Sequence, residues 1–172
     1  RAPGSTAGSD HLSAAGSVDL LRAAKKRGVP VSGEACPHHF TLTDAAIAGS
    51  EKFWREDGKG IFGFKLPTAD FPVWPAYDTN FKMNPPLRSE DDRQALIEGL
   101  RVGTIDCIPT DHAPQAIEEK EVPFEQAAMG VTGLETAFAV LNTELVLPGT
   151  IGLELLVEKL TCGGEPFGIE AP

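Results

Sequence analysis

The side chains best suited to chemistry are four histidines, His11, His38, His39 and His112, together with Asp111, the carboxylate beside the last of them. Neutral imidazole and carboxylate are the usual ligands of a catalytic zinc that keeps one position open for water. Each of these groups also has a plainer use. His38 and His39 are neighbours, and adjacent side chains on an extended segment point to opposite sides, so they would not share one ion. Either could instead satisfy a buried carbonyl. Asp111 could close a turn, and His11 could be a surface histidine. Asn84, before Pro85-Pro86, could simply form a turn, with Arg88 a solvated residue at a helix start. The cysteines Cys36, Cys107 and Cys162 are odd in number and form no CxxC pair, which points to a reducing compartment and away from a small zinc ribbon.

The elements that must position these groups can be read from periodicity and punctuation. Ser17 can cap a helix over Val18–Arg27, with Val18, Leu21 and Ala24 on one face and Gly28 as its stop. Val29–Cys36 alternates as a short strand does, and Pro37-His38-His39 ends it. Thr41–Ser50 can hold a short helix behind Thr43-Asp44. Ser89 and Asp92 make a capping-box pattern that opens a helix to Val102, closed by Gly103. Thr104–Thr110 then reads as a strand with Asp111-His112 just past its carboxyl end, although Pro109 is an awkward residue there. Thr132 and Glu135 suggest another capping box, leading a helix whose Leu134, Phe138, Leu141 and Leu145 share a face. A last amphipathic piece covers Ile151–Lys159. Two stretches stand apart. Residues 1–10 lack apolar periodicity and read as a disordered or foreign leader, and 51–81 is a long excursion rich in aromatics and proline.

Alternating helix and strand is the pattern of an α/β protein with a parallel sheet, in which function gathers at the carboxyl ends of strands. Both His38-His39 and Asp111-His112 fall at such places. The chain has 172 residues, 41% of them hydrophobic, with a formal charge of −10. That suits a globular chain and opposes binding to nucleic acid or to an anionic membrane surface. No run of apolar residues is long enough to span a bilayer, and the chain opens on no apolar signal core. The expected location is therefore cytoplasmic. A complete (βα)8 barrel takes about 250 residues, so this length holds only part of one.

Five segments in order carry a resemblance: His11-Leu12-Ser13-Ala14-Ala15-Gly16-Ser17, Glu34-Ala35-Cys36-Pro37-His38-His39, Lys82-Met83-Asn84-Pro85-Pro86-Leu87-Arg88, Thr110-Asp111-His112-Ala113-Pro114 and Gly130-Val131-Thr132-Gly133-Leu134-Glu135-Thr136. The series resembles the class I dihydroorotases of the amidohydrolase superfamily, from His11 to about Ala171, and matches the later part of such an enzyme. The resemblance implies a partial (βα)8 TIM barrel, about its last three βα units. It implies a hydrolase that interconverts dihydroorotate and N-carbamoyl-L-aspartate in pyrimidine biosynthesis, with one or two zinc ions polarising the ring amide and activating water. By motif, His11 and Asp111 would be metal ligands, and Asp111 would also move the proton in catalysis. Asn84, Gln115, Met129 and Gly130 would contact the substrate, while His38 and His39 belong to the signature without a ligand role. The family's opening His-x-His pair, its bridging residue, a further histidine ligand and its substrate-gripping arginine would all precede residue 1, so the chain alone is expected to be inactive. Gln115 stands where the family usually has a histidine. Two other readings remain: a non-catalytic dihydroorotase-like subunit that assembles with aspartate transcarbamoylase, and an allantoinase- or hydantoinase-type enzyme. A homo-oligomer is a further expected state.

Overall fold

The computed structural model describes residues 7–9, 11–50 and 73–161. Ala7–Ser9 (β1) pairs in parallel with Val31–Gly33 (β2), Ala7 opposite Val31 and Ser9 opposite Gly33. Between them runs the helix Ala15–Lys26 (α1). This is a strand–helix–strand crossover. It corrects the reading of residues 7–9 as part of a patternless leader: small residues pair through their backbones, so no apolar alternation is needed to announce the strand. The rest of the leader, and residues 51–72 of the excursion, lie outside the described residues.

The α1 helix starts earlier than Ser17. Its N-cap is Ala14, which has no side-chain acceptor, and the acceptor comes from elsewhere in the chain: Asp92 Oδ1 takes the Ala15 N–H at 2.8 Å. Asp92 lies in the first turn of Glu90–Arg101 (α3), numbered after the short helix Pro37–Thr41 (α2). There Ser89 Oγ accepts the Asp92 N–H at 3.3 Å and donates to Asp92 Oδ2 at 2.7 Å. One carboxylate thus serves two helix starts, where it also meets the positive end of each dipole.

The two helices can lie close because of Gly99. A Cβ there would sit 2.9 Å from Val18 Cγ1. Val18, Leu21, Phe40, Leu96, Leu100, Ile105, Leu141, Leu145 and Leu156 form the main core. Burying each such side chain contributes roughly 1.5–3 kcal/mol. Arg93 enters this core, at 5% exposure, because Phe40 O accepts its Nη1–H at 3.0 Å while Glu90 takes Nε–H at 2.7 Å. A smaller cluster joins Ala46, Met83 and Leu87 to Trp74 and Phe81, so the last residues of the excursion pack against the chain.

Past Gly103, whose φ is +73°, the segment expected as a strand over Thr104–Thr110 makes only an isolated parallel bridge, Glu34 with Cys107. Pro109 has no N–H to give a ladder, and the Ile108 N–H goes to Lys159 O at 3.0 Å. Asp106 replaces part of the missing ladder. Its N–H donates to Gly33 O at 2.8 Å, its Oδ2 accepts the Gly33 N–H at 2.9 Å, and Lys25 Nζ lies 2.6 Å from Oδ1.

The later helices also differ from the pattern. Ile117–Lys120 (α4) forms one turn in the charged loop. The next helix begins only at Ala137 (α5, Ala137–Leu141), because the Gly133 and Leu134 N–H groups that a Thr132 cap would lead into are donated to His112 Nδ1, at 3.1 and 3.2 Å. Leu141 and Leu145 are buried as expected, but Leu134 and Phe138 are exposed. Asn142–Val146 continues as a π-turn, and Leu153–Thr161 (α6) closes the described chain. Among the described residues no helix is long and apolar enough to cross a membrane.

The double cap yields a pH prediction. The Ala15 N–H, and then the Ser89 hydroxyl, hold the Asp92 carboxyl below its ordinary pKa. Its stabilisation is therefore complete above about pH 4 and is lost as pH falls through the lowered folded-state value. Asp92→Ala should cost about 1 kcal/mol at neutral pH, with the gap to wild type closing in acid. Urea unfolding at several pH values checks this.

Candidate metal and substrate site

His11, Glu34 and Asp111 meet where the parallel segments end. The Leu12 N–H donates to Glu34 O at 2.7 Å, which carries the β1 direction forward to His11. His11 Nδ1 lies 2.9 Å from Glu34 Oε1, and its Nε2 lies 3.5 Å from Asp111 Oδ1. Cys36 Sγ stands 3.4 Å from the same Nδ1. The candidate ligand atoms of His11, Cys36 and Asp111 fall within 4.8 Å of one another, as do those of Cys36, His38 and His39. His11 and Asp111 share an uncommon backbone: their φ values are +51° and +50°. For residues other than glycine that region costs of order 1 kcal/mol or more, and such strain concentrates at functional sites.

His38 and His39 are not on an extended segment. They lie in the helix Pro37–Thr41, where Pro37 at the start suits the fixed φ of proline, and their rings meet at 4.2 Å between centroids. The expectation that they point apart is corrected accordingly: a helical turn separates neighbours by about 100°, not 180°. The two then differ in use. His39 Nε2 is 3.0 Å from Pro85 O, the structural role foreseen for a buried imidazole. His38 Nε2 is buried without a hydrogen-bond partner and stands 4.0 Å from Asp111 Oδ2. Burial, then His39 and His11, push the His38 pKa down to about 3, so its ring is neutral with a free lone pair. Burial also raises both cysteine thiols, Cys107 to about 12, and Cys36 is further raised by Asp111 and Glu34. Both stay protonated at neutral pH. His11, Asp111 and Cys36, whose ligand atoms lie within 4.8 Å of one another, together with the orphaned His38 Nε2 4.0 Å from Asp111 Oδ2, offer donors of the kind a divalent metal of zinc's type takes. His112 does not join them, since its Nδ1 is held by Gly133 and Leu134.

The expected substrate-contacting residues form a second group tied to the first through backbone. Asn84 is exposed, and Pro85 O beside it is the acceptor facing His39. The Gly130 N–H donates to Lys82 O at 3.1 Å, and Gly130 O accepts from Lys120 Nζ at 2.8 Å. Both polar backbone groups of Gly130 are thus used within the chain. Gln115 Nε2 donates to Met129 O at 2.9 Å, while the Met129 side chain is exposed. Residues 129–131 lie along the loop after Asp111, with His112 and Val131 in a parallel bridge.

Two contributors escaped sequence reading. Glu34 lay inside a quoted motif but nothing in its spacing gave it a task. Lys120, in a stretch read as charged loop, donates to Thr79 O, Ala128 O and Gly130 O, at 3.0, 3.0 and 2.8 Å. A lone lysine among acidic residues carries no sequence signal for such a clasp.

Gly130 can be tested directly. Its φ is +129°, and a Cβ would lie 2.5 Å from Ala113 O. Gly130→Ala should lower the unfolding free energy by about 1–3 kcal/mol, read from the urea midpoint, and should displace the loop after Asp111. For the thiols, Cys36 and Cys107 are expected to react slowly with a disulfide reagent in the folded chain and rapidly in denaturant.

No family model matches this chain. Curated relatives do: the dihydroorotase of Thermoanaerobacter sp. (strain X514) is 44% identical over 151 residues, covering 88% of this chain and 29% of the relative. That of Anaeromyxobacter dehalogenans (strain 2CP-C) is 46% identical over 162 residues, covering 94% and 31%. Among solved structures, an L-hydantoinase (dihydropyrimidinase) from Arthrobacter aurescens superposes with a TM-score of 0.71 at 27% identity, over 94% of this chain and 31% of the other. A D-hydantoinase (dihydropyrimidinase) from Thermus sp. gives 0.69 at 26%, over 95% and 31%. The chain thus spans about a third of the length of the relatives it matches. Over that third it belongs to the dihydroorotase family of the amidohydrolases.

Proposed function

We propose that the parent protein is a zinc-dependent dihydroorotase of the cytoplasm, which opens the cyclic amide of dihydroorotate to N-carbamoyl-L-aspartate, reversibly, in pyrimidine biosynthesis. In this reading the chain holds about the last three βα units of a (βα)8 barrel. The observation that supports it most is the opposition of His11 Nε2 and Asp111 Oδ1 at 3.5 Å, both on left-handed backbone at the ends of parallel segments. His11 and Asp111 would hold the metal, with the free His38 Nε2 beside them as a neutral donor.

Zinc, one ion or two, would supply Lewis acidity toward the ring carbonyl and bring water within reach at neutral pH. The chain's own part is positioning and proton transfer. Asp111, beside His11, would take a proton from the attacking water and return it to the ring nitrogen as the C–N bond breaks; one water is consumed per ring opened, and its other proton leaves when the new carboxylic acid ionises. Asn84 and Gln115 carry the amides that would bind the substrate's polar edge. Met129 would supply an exposed side chain, and Gly130 would set the loop rather than donate, because its N–H and C=O are already taken. Gln115 can hydrogen-bond the substrate carboxylate but adds no positive charge, so affinity would be lower than with the family's usual histidine there.

Joining this chain to the preceding part of its own coding region and assaying ring opening tests the proposal. Dihydroorotate should be hydrolysed, and Asp111→Asn should lower kcat by about 10²- to 10⁴-fold. Hydrolysis of hydantoins or allantoin in its place would reassign the substrate, the alternative that the hydantoinase structures support. An inactive, zinc-free product that assembles with aspartate transcarbamoylase would instead show a scaffold subunit, a role that Gln115 slightly favours. The 172-residue chain alone is predicted to hold zinc weakly and to show no turnover; stoichiometric zinc with turnover would refute that.

A further inference from the structure

Glu34 touches the candidate metal site twice, through its carbonyl and through its carboxylate. The carbonyl accepts the Leu12 N–H at 2.7 Å, directly after His11, and the carboxylate faces His11 Nδ1 at 2.9 Å. The other carboxylate oxygen, Oε2, accepts from Cys107 Sγ at 3.7 Å, so the side chain is held at both ends. At 15% exposure it has little competition from water. Cys36 Sγ also approaches His11 Nδ1, at 3.4 Å. In the present ring orientation Nδ1 is aligned with the sulfur, and the carboxylate, a far stronger acceptor, lies at ion-pair distance from the same nitrogen. An imidazole whose Nδ1 carries the proton has its lone pair on Nε2, the nitrogen that faces Asp111.

We propose that Glu34 is a positioning residue: by accepting the Nδ1 proton of His11 it selects one tautomer and orientation of the ring and aims Nε2 at the metal position beside Asp111. A carboxylate behind a metal-binding histidine also makes that histidine a better donor. The inference rests on the metal reading of His11 and Asp111 given above, and it adds a role for a residue that the motif left without one. It also accounts for the left-handed backbone of His11, because a single residue clamps both the ring and the following amide, leaving the ring little freedom to turn.

The test uses the 172-residue chain labelled with ¹⁵N in its imidazoles. Nitrogen shifts distinguish the two neutral tautomers, and titration with zinc chloride alone reports which nitrogen meets the ion. Wild type should show His11 protonated on Nδ1, with zinc moving the Nε2 signal. Glu34→Ala should mix the tautomers and weaken zinc binding by about 10- to 100-fold, while Glu34→Gln, which keeps an oxygen acceptor, should restore the tautomer. A wild-type His11 protonated on Nε2 overturns the proposal, as does a folded Glu34→Ala chain with tautomer and zinc affinity unchanged. If Glu34→Ala does not fold, the wild-type tautomer decides. The metal reading is tested on the longer protein joined to its preceding coding region: an Nδ1-protonated His11 there with no zinc uptake would support Glu34's hold on the ring and count against the metal reading alone, so the two failures look different.

Discussion

The site depends on three short backbone segments ending level with one another. Residues 7–9, 31–35 and 105–108 run in parallel, yet only the first pair forms a regular ladder. The third is held by Asp106, whose N–H and carboxylate each meet Gly33 and whose charge is balanced by Lys25 from the end of the first helix. Because a parallel register sets which side chains come abreast, this link decides where Cys107, and four residues later Asp111, stand relative to Glu34 and His11. Without it the carboxylate and the imidazole would have no fixed separation.

Helix packing supplies the stiffness behind that alignment. The close approach at Gly99 brings two helices together under the segments, and the shared Asp92 cap ties their starts. The buried Arg93 then links one of these helices to the carbonyl of Phe40, at the end of the turn that carries His38 and His39. Core, caps and site are therefore mechanically continuous, and the two imidazoles sit on the framework rather than on a loose loop.

Much of this was legible in the sequence where a single residue has a single physical meaning. Ser89 caps its helix, Gly28 and Gly103 end theirs with positive φ, and the His11 and Asp111 motifs do come together. What escaped legibility depends on distant partners. The cap of the first helix is a carboxylate 77 residues away, so Ser17 was a false start. The strand over 104–110 is cut to a single bridge because the Ile105 N–H goes to Gly99 O, the Ile108 N–H goes to Lys159 O in the last helix and Pro109 has none, and no local pattern reveals these acceptors. The start of the helix after Gly133 is delayed by a histidine 21 residues upstream. In the site itself, Glu34 and Lys120 were silent for the same reason: each acts on backbone or ring atoms that only the fold brings near.

The left-handed backbone at His11 and Asp111 has a consequence for the range of amino acids these two positions can accept. Asparagine, aspartate, histidine and glycine tolerate that conformation, whereas β-branched and bulky residues do not. Selection for a stable chain without selection for chemistry would therefore still enrich a short set that includes good metal ligands. The natural residues lie within it. Drift at these two sites is channelled by the backbone toward groups that can bind an ion, so a lost site here has few steps to travel to be regained.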